Sequence, residues 1–350
     1  MAGPPRDALR LDVVDMHTAG EPARIVLSGY PRLEGATILD KRRDALARCD
    51  HLRRVMMHEP RGHAGMYGVI PVEPSEAAKA QGASLACLFT HASGYSTMCG
   101  HATIAFARFA VERGLVATPA GGDGVARFGL ELPCGVVAVE ARLEGGAVVA
   151  SAFESVPAFV AERDASIDVA GIGRVVYDVV FGGAFYAILP SRRLGLAFDA
   201  PLAERVGAGM TLFRALRAER PAPLHPDEPD LSFLYGVILT DDASPPAPTR
   251  NLCMFGEGQI DRSPTGSGVT ARMALDLLAG RLEEGAARRF AGPTGDVFVG
   301  SARRDGEVAG RPAVRVRVEG RAFHVGEARL RVEPDDPLGS GFLLFEAEAG

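Results

Sequence analysis

Cys99 stands in the run MCGH (98–101), directly ahead of the apolar stretch ATIAFARFAVERG (102–114). That stretch predicts an amphipathic helix ending on Gly114, which places Cys99 at the helix N-terminus. The first N–H groups of a helix lack intrahelical partners, and the dipole leaves partial positive charge there. Both favour thiolate and are expected to pull a cysteine pKa from about 8.5 toward 7 or lower. A thiolate near neutrality is a nucleophile or a general base. An inert buried thiol is the competing reading; it prevails for an isolated cysteine, and Gly100 with the helix start brings the two level.

The loop QIDRSPTGSG (259–268) precedes a second apolar stretch, VTARMALDLLAGR (269–281). Gly266 and Gly268 let backbone approach a ligand closely, and N–H groups at a helix start bind carboxylate or phosphate. Asp261 could grip an ammonium group. The same residues also suit a plain N-cap turn, with Asp261 or Ser263 as the cap. HEPRGH (58–63) lacks a zinc helix, because its histidines are five apart and Pro60 and Gly62 break the turn. It reads as a loop whose histidine lines a pocket, while His17 and His91 read as structural and Cys253 as core packing. No G-x-S-x-G elbow, G-x-G-x-x-G fingerprint or P-loop triplet occurs. Lys41 and Lys79 are the only lysines among 38 basic residues, which disfavours lysine-dependent chemistry such as pyridoxal-phosphate catalysis.

These residues need a frame. LDVVDMH (11–17) and ARIVLSG (23–29) read as a hairpin about TAGEP, and 40–54 as a charged amphipathic helix. SLACLFT (84–90) is a strand, GYSTMCGH (94–101) a turn, and 130–152 a set of strands. Residues 174–189 read as two strands hinged at Gly182 and Gly183, 201–219 as a helix, and strands follow to FLLF (342–345). MCGHATIAFARFA and SPTGSGVTARMAL align with Cys99 on Thr265, Gly100 on Gly266 and His101 on Ser267, an offset of 166 residues. That is close to half of 350, and it suggests a duplicated domain with one helix mouth from each copy.

Composition narrows the class further. With 47% hydrophobic and 23% charged residues the chain is globular rather than disordered. A net charge of −6 argues against a nucleic-acid surface. Five scattered cysteines without a C-x-x-C pair fit free thiols in a reducing compartment. No signal peptide or transmembrane run is evident, so the expectation is a soluble, cytoplasmic protein away from membranes.

Together DMHTAGEPARIV (15–26), RGHAGMYG (61–68), MCGHATIA (98–105), FGGAFYAI (181–188) and DRSPTGSG (261–268) resemble the proline racemase family. The resemblance implies an α+β fold of two pseudo-symmetric, diaminopimelate-epimerase-like domains. Each would be a curved sheet wrapped around a central helix, with the active site in the cleft between them. The domains are expected at 1–155, completed by a C-terminal strand at 338–350, and at 156–337. The resemblance implies no metal or organic cofactor, a hydroxyproline substrate and a possible homodimer. Racemases of the family carry a cysteine at both mouths, whereas here the second is Thr265, a hydroxyl that is no base near neutral pH. The Cys/Thr pair is similar to the family branch that dehydrates trans-3-hydroxy-L-proline to Δ1-pyrroline-2-carboxylate. By that resemblance Cys99 takes the Cα proton, and Gly100, His101, Gly266 and Ser267 offer backbone N–H groups to the carboxylate. Asp261 holds the ring ammonium, and His101 or Thr265 protonates the leaving hydroxyl. The alternatives are a 4-hydroxyproline 2-epimerase or proline racemase, and a non-catalytic amino-acid-binding protein.

Overall fold

The computed structural model describes residues 9–344 except 242, 244 and 245. The first half runs β1 (Leu9–Thr18), β2 (Glu21–Ser28), α1 (Ile38–Met57), β3 (Tyr67–Val72), α2 (Glu76–Ala80), β4 (Ala83–His91), β5 (Gly94–Ser96), α3 (Gly100–Glu112), β6 (Gly124–Leu132), β7 (Gly135–Glu144) and β8 (Ala147–Glu154). The second runs β9 (Ala158–Val169), β10 (Gly173–Phe181), β11 (Phe185–Pro190), α4 (Leu202–Glu219), β12 (Leu234–Thr240), β13 (Thr249–Phe255), β14 (Gln259–Asp261), α5 (Gly266–Leu278), β15 (Arg288–Ala291), β16 (Val297–Val308) and β17 (Arg311–Gly320), and β18 (Ala322–Val332) follows.

The two halves repeat one pairing scheme. β2 lies parallel to β3 and β4 parallel to β6, just as β11 lies parallel to β12 and β13 parallel to β15. The short hairpin strands β5 and β14 occupy equivalent places beside β4 and β13. Each sheet curls around one helix, α3 or α5. Eleven of the thirteen residues in each of these helices are buried, so they are core helices walled in on all sides. Alanine and glycine on their flanks let strands approach closely, as the packing of α3 on β8 and β1 and of α5 on β17 and β16 shows.

One strand crosses back between the halves. β8 pairs with β7, and the chain then passes straight into β9, which pairs with β10. β17 pairs with β16, and the chain passes into β18, which pairs with β1 from Leu9↔Val332 to Thr18↔Ala322. β8 and β17 pair antiparallel where they cross, Ser151 opposite Gly320. The expected boundary at 155/156 falls in the short link between β8 and β9. The strand that returns to the first half is β18, inside the expected 156–337 and upstream of the expected 338–350. In that tail Phe342 makes a single bridge to Glu59, and 345–350 lie outside the described residues, so the expected strand at FLLF is reduced to one bridge.

α1 is longer than the expected 40–54 because Thr37 caps it in a reciprocal box with Asp40. α3 and α5 start at Gly100 and Gly266, ahead of the expected 102 and 269. Glycine has weak helix propensity, and here tertiary packing overrides it, with the Cys99 cap adding to it at α3. The segment expected as a turn at 94–101 contains β5. Among the described residues no helix is long and apolar enough to cross a membrane.

Candidate active site

Both helix mouths open onto one cavity, and the seven residues expected at the site, Cys99, Gly100, His101, Asp261, Thr265, Gly266 and Ser267, all line it. The helices meet nearly end to end. A Cβ on Gly100 would lie 2.5 Å from Gly266 Cα, and one on Gly266 would lie 2.6 Å from Gly100 Cα. Glycine is required at both places by this approach of backbone to backbone. The first-turn N–H groups of the two helices therefore converge on one spot, an arrangement suited to a carboxylate.

Cys99 is the N-cap of α3, with extended backbone and 4% exposure. Its sulfur accepts from the Ala102 N–H at 3.4 Å and lies 3.1 Å from His101 Nδ1. His101 Nε2 lies 3.2 Å from the Pro22 carbonyl oxygen, which can only accept. Nε2 must then carry the ring proton, and the Nδ1 lone pair faces the sulfur. Burial holds the imidazole below its ordinary pKa, so it is neutral near pH 7. The sequence expectation of a lowered thiol pKa is overturned. Burial pushes Cys99 well up, Ala102 N–H and the Tyr67 hydroxyl pull it back only in part, and the Asp261 and Glu21 carboxylates push it further up. The resting group is a thiol that donates to His101 Nδ1.

Thr265 is the N-cap of α5, at φ 64° and ψ 91°, a conformation unusual for a β-branched residue. A dense polar net holds it there. Asp261 Oδ1 accepts from Ser263 N–H at 2.7 Å, and Ser263 Oγ accepts from Thr265 N–H at 3.0 Å. Asn251 Nδ2 donates to the Pro264 carbonyl at 2.7 Å, and buried Arg272 in turn donates to Asn251 Oδ1 at 2.8 Å. The Thr265 hydroxyl itself is buried without a hydrogen-bond partner. A polar atom held in a strained cap and left unpaired at a cavity wall points to a ligand.

Several contributors escape the sequence reading. Glu21 is 1% exposed and accepts from Arg262 N–H at 2.8 Å and from Arg262 Nη1 at 3.1 Å. Burial and the neighbouring Asp261 raise its pKa well above the ordinary carboxyl value. A carboxyl pair of this kind, in which one negative charge resists a second, makes a potential suited to an ammonium group. Tyr67, Tyr186 and Tyr235 also wall the cavity, and burial raises all three phenols, so they are neutral donors. Tyr186 Oη is 2.7 Å from Ser267 Oγ, and Tyr67 Oη is 2.5 Å from Ser96 Oγ. Cys253, expected as core, is buried but lines the cavity as well. About 10 Å³ of free space remains inside, the room of roughly one water, so the walls must part to admit a ring.

The other candidates lie elsewhere. HEPRGH follows α1 as a loop, with His58 Nε2 2.8 Å from the Ala92 carbonyl and His63 on a separate surface cavity. His17 Nδ1 accepts from Gly20 N–H, and His91 Nδ1 bonds Gln259, both structural as expected. Among the described residues no cluster of three or more His, Cys, Asp or Glu is placed to hold a metal ion.

The sequence model of the family described as proline racemase matches residues 13–343. The chain is 48% identical over 339 residues to a trans-3-hydroxy-L-proline dehydratase of Homo sapiens, covering 95% of this chain and 94% of that one. It is 39% identical over 338 residues to a protein of the same name from Colwellia psychrerythraea, covering 96% and 93%. Among solved structures it superposes, with a TM-score of 0.87 and 27% identity, on a hydroxyproline epimerase from Agrobacterium vitis with bound trans-4-hydroxy-L-proline, covering 97% and 96%. The same score and identity relate it to a probable proline racemase from Agrobacterium radiobacter with bound carbonate, covering 96% and 97%.

Proposed function

The chain belongs to the proline racemase family, and we propose that it is a hydro-lyase that dehydrates trans-3-hydroxy-L-proline. The observation that carries the reading is the unequal pair of helix mouths, a thiol at Cys99 and a hydroxyl at Thr265. A racemase must remove a proton on one face of Cα and deliver one on the other, which takes two groups that exchange protons near neutrality. Thr265 cannot do this as a thiolate could. Elimination needs one such base, and Cys99 with His101 at 3.1 Å supplies it.

In this reading the substrate carboxylate sits on the N–H groups of Gly100, His101, Gly266 and Ser267, where charge spreads as the Cα proton leaves. Asp261, with Glu21 beside it, receives the ring ammonium, and that charge acidifies the Cα–H. The Cys99 thiol passes its proton to His101 Nδ1, and the thiolate then takes the Cα proton. The freed electron pair forms the Cα=C3 bond and breaks the C3–O bond. The enamine product tautomerises to Δ1-pyrroline-2-carboxylate. No step calls on a metal or an organic cofactor.

The test is to incubate the protein separately with trans-3-hydroxy-L-proline, trans-4-hydroxy-L-proline and L-proline, assaying ketimine formation and optical rotation. Ketimine from the first and unchanged rotation of the other two is the expected result. Inversion at Cα without water loss would make it an epimerase or racemase, and binding without turnover would make it an amino-acid-binding protein.

A further inference from the structure

We propose that His101 is the acid that protonates the departing hydroxyl, working on the same face of the ring as Cys99. This assignment rests on the dehydratase reading above. In trans-3-hydroxy-L-proline the hydroxyl is across the ring plane from the carboxylate. It therefore shares a face with the Cα hydrogen, and loss of the two is a syn elimination. Base and acid must reach the same side. On adjacent ring carbons, the Cα hydrogen and the C3 oxygen are separated by about a hydrogen-bond length. Cys99 Sγ and His101 Nδ1, 3.1 Å apart on one helix mouth, match that requirement. Thr265 belongs to the opposite mouth and approaches from the other face.

The proton count closes on this pair. The Pro22 carbonyl keeps the proton on His101 Nε2, so Nδ1 is free to receive the thiol proton. The thiolate takes the Cα proton and the S–H bond is restored. The C3 oxygen takes the bonding pair and the Nδ1 proton, and leaves as water. Thiol and neutral imidazole are regenerated together, with no proton drawn from solvent into a closed cavity. The ring cannot swing away easily, since Tyr67 packs edge-on against it at 4.7 Å between centroids.

His101→Gln removes the titrating ring and keeps a polar side chain of similar reach. Dehydration of trans-3-hydroxy-L-proline should fall by at least about 100-fold, the usual scale of a lost general acid. Trans-3-fluoro-L-proline separates the acid from a positioning role, because fluoride departs without full protonation. Both substrates lose the acceptor of the Cys99 proton, so fluoride elimination by the variant should also fall, but at least about tenfold less than dehydration does, because only the hydroxy substrate loses its acid as well. An equal loss on both substrates, or a loss on neither, overturns the assignment. A second measurement needs no variant: the wild-type protein should leave cis-3-hydroxy-L-proline, whose hydroxyl is anti to the Cα hydrogen, untouched. Turnover of the cis isomer at a rate near that of the trans would place the acid on the Thr265 side. Failure of wild-type protein to dehydrate the trans isomer at all would instead sink the function proposed above.

Discussion

Thr265→Val replaces a hydroxyl by a methyl of nearly the same shape, at a site where the hydroxyl is buried and unpaired. The β-branch is kept, so the strain of φ 64° is common to both proteins and cancels. What changes is the desolvation of one unsatisfied polar group, which costs about 1–3 kcal/mol. The variant should therefore be more stable by that amount. An unfolding entropy of about 2.1 cal/mol/K per residue gives about 0.7 kcal/mol/K for 350 residues, so Tm should rise by roughly 1.5–4 °C. Activity should move the other way. If the hydroxyl pairs with a charged group of the substrate, that bond is worth about 1.5–3 kcal/mol, and kcat/KM should drop by about 10- to 150-fold. Differential scanning calorimetry and initial rates on one preparation read both effects. A lower Tm with kcat/KM unchanged would refute the reasoning, because the hydroxyl would then be satisfied by the protein and would not face the substrate.

Cys99→Ser should abolish turnover while the substrate still binds, since a serine hydroxyl is a far weaker acid than a thiol and does not pass its proton to His101; retained kcat in a rate assay would remove Cys99 from the base role. Thr265→Cys should admit inversion at Cα of 4-hydroxy-L-proline, followed in D₂O by chiral chromatography, and retention of configuration there would show that residue 265 does not decide between elimination and inversion. Gly100→Ala would drive a Cβ to 2.5 Å from Gly266 Cα, with backbone on both sides, and should cost about 1–3 kcal/mol in denaturant melts together with most activity. The pKa of Glu21 is raised on folding, so below pH 4.5 its contribution to stability is full, and it is lost at up to about 1.4 kcal/mol per unit as pH rises toward the folded value. Denaturation of Glu21→Gln across pH 4–8 should lack that decline, and an unchanged profile would show that Glu21 is not buried as described.

The two facing helix mouths were legible because each of them is local. A small polar residue followed by glycine and an apolar run marks a helix mouth, and the repeat at an offset of 166 brings two mouths together. Tyr67, Tyr186 and Tyr235 reach the cavity from β3, β11 and β12, and Glu21 of β2 acts on it through Asp261; strand spacing alone does not say which sheet face meets which helix. One signal was available. Tyr67-Gly68 and Tyr235-Gly236 recur at an offset of 168, and the structure puts both glycines at equivalent places in the parallel pairs β2/β3 and β11/β12. The thiol pKa was misread for another reason. The helix N-terminus is written in the sequence, whereas the desolvation that outweighs it depends on burial by elements from both halves. The halves themselves were visible as a repeat, but the return of β18 to β1 was not, because no local pattern records which sheet a strand will join.

The return of β18 to β1 sets an order of events during biosynthesis. Leu9 finds its partner Val332 only when almost the whole chain has been made. At about 5–20 residues per second the ribosome takes on the order of half a minute to supply that strand. Throughout this interval β1 presents one unpaired backbone edge, the kind of template on which nascent chains aggregate. β8 waits equally for β17. The first half is thus translated first but completed late, and its native form is tied to the emergence of β18.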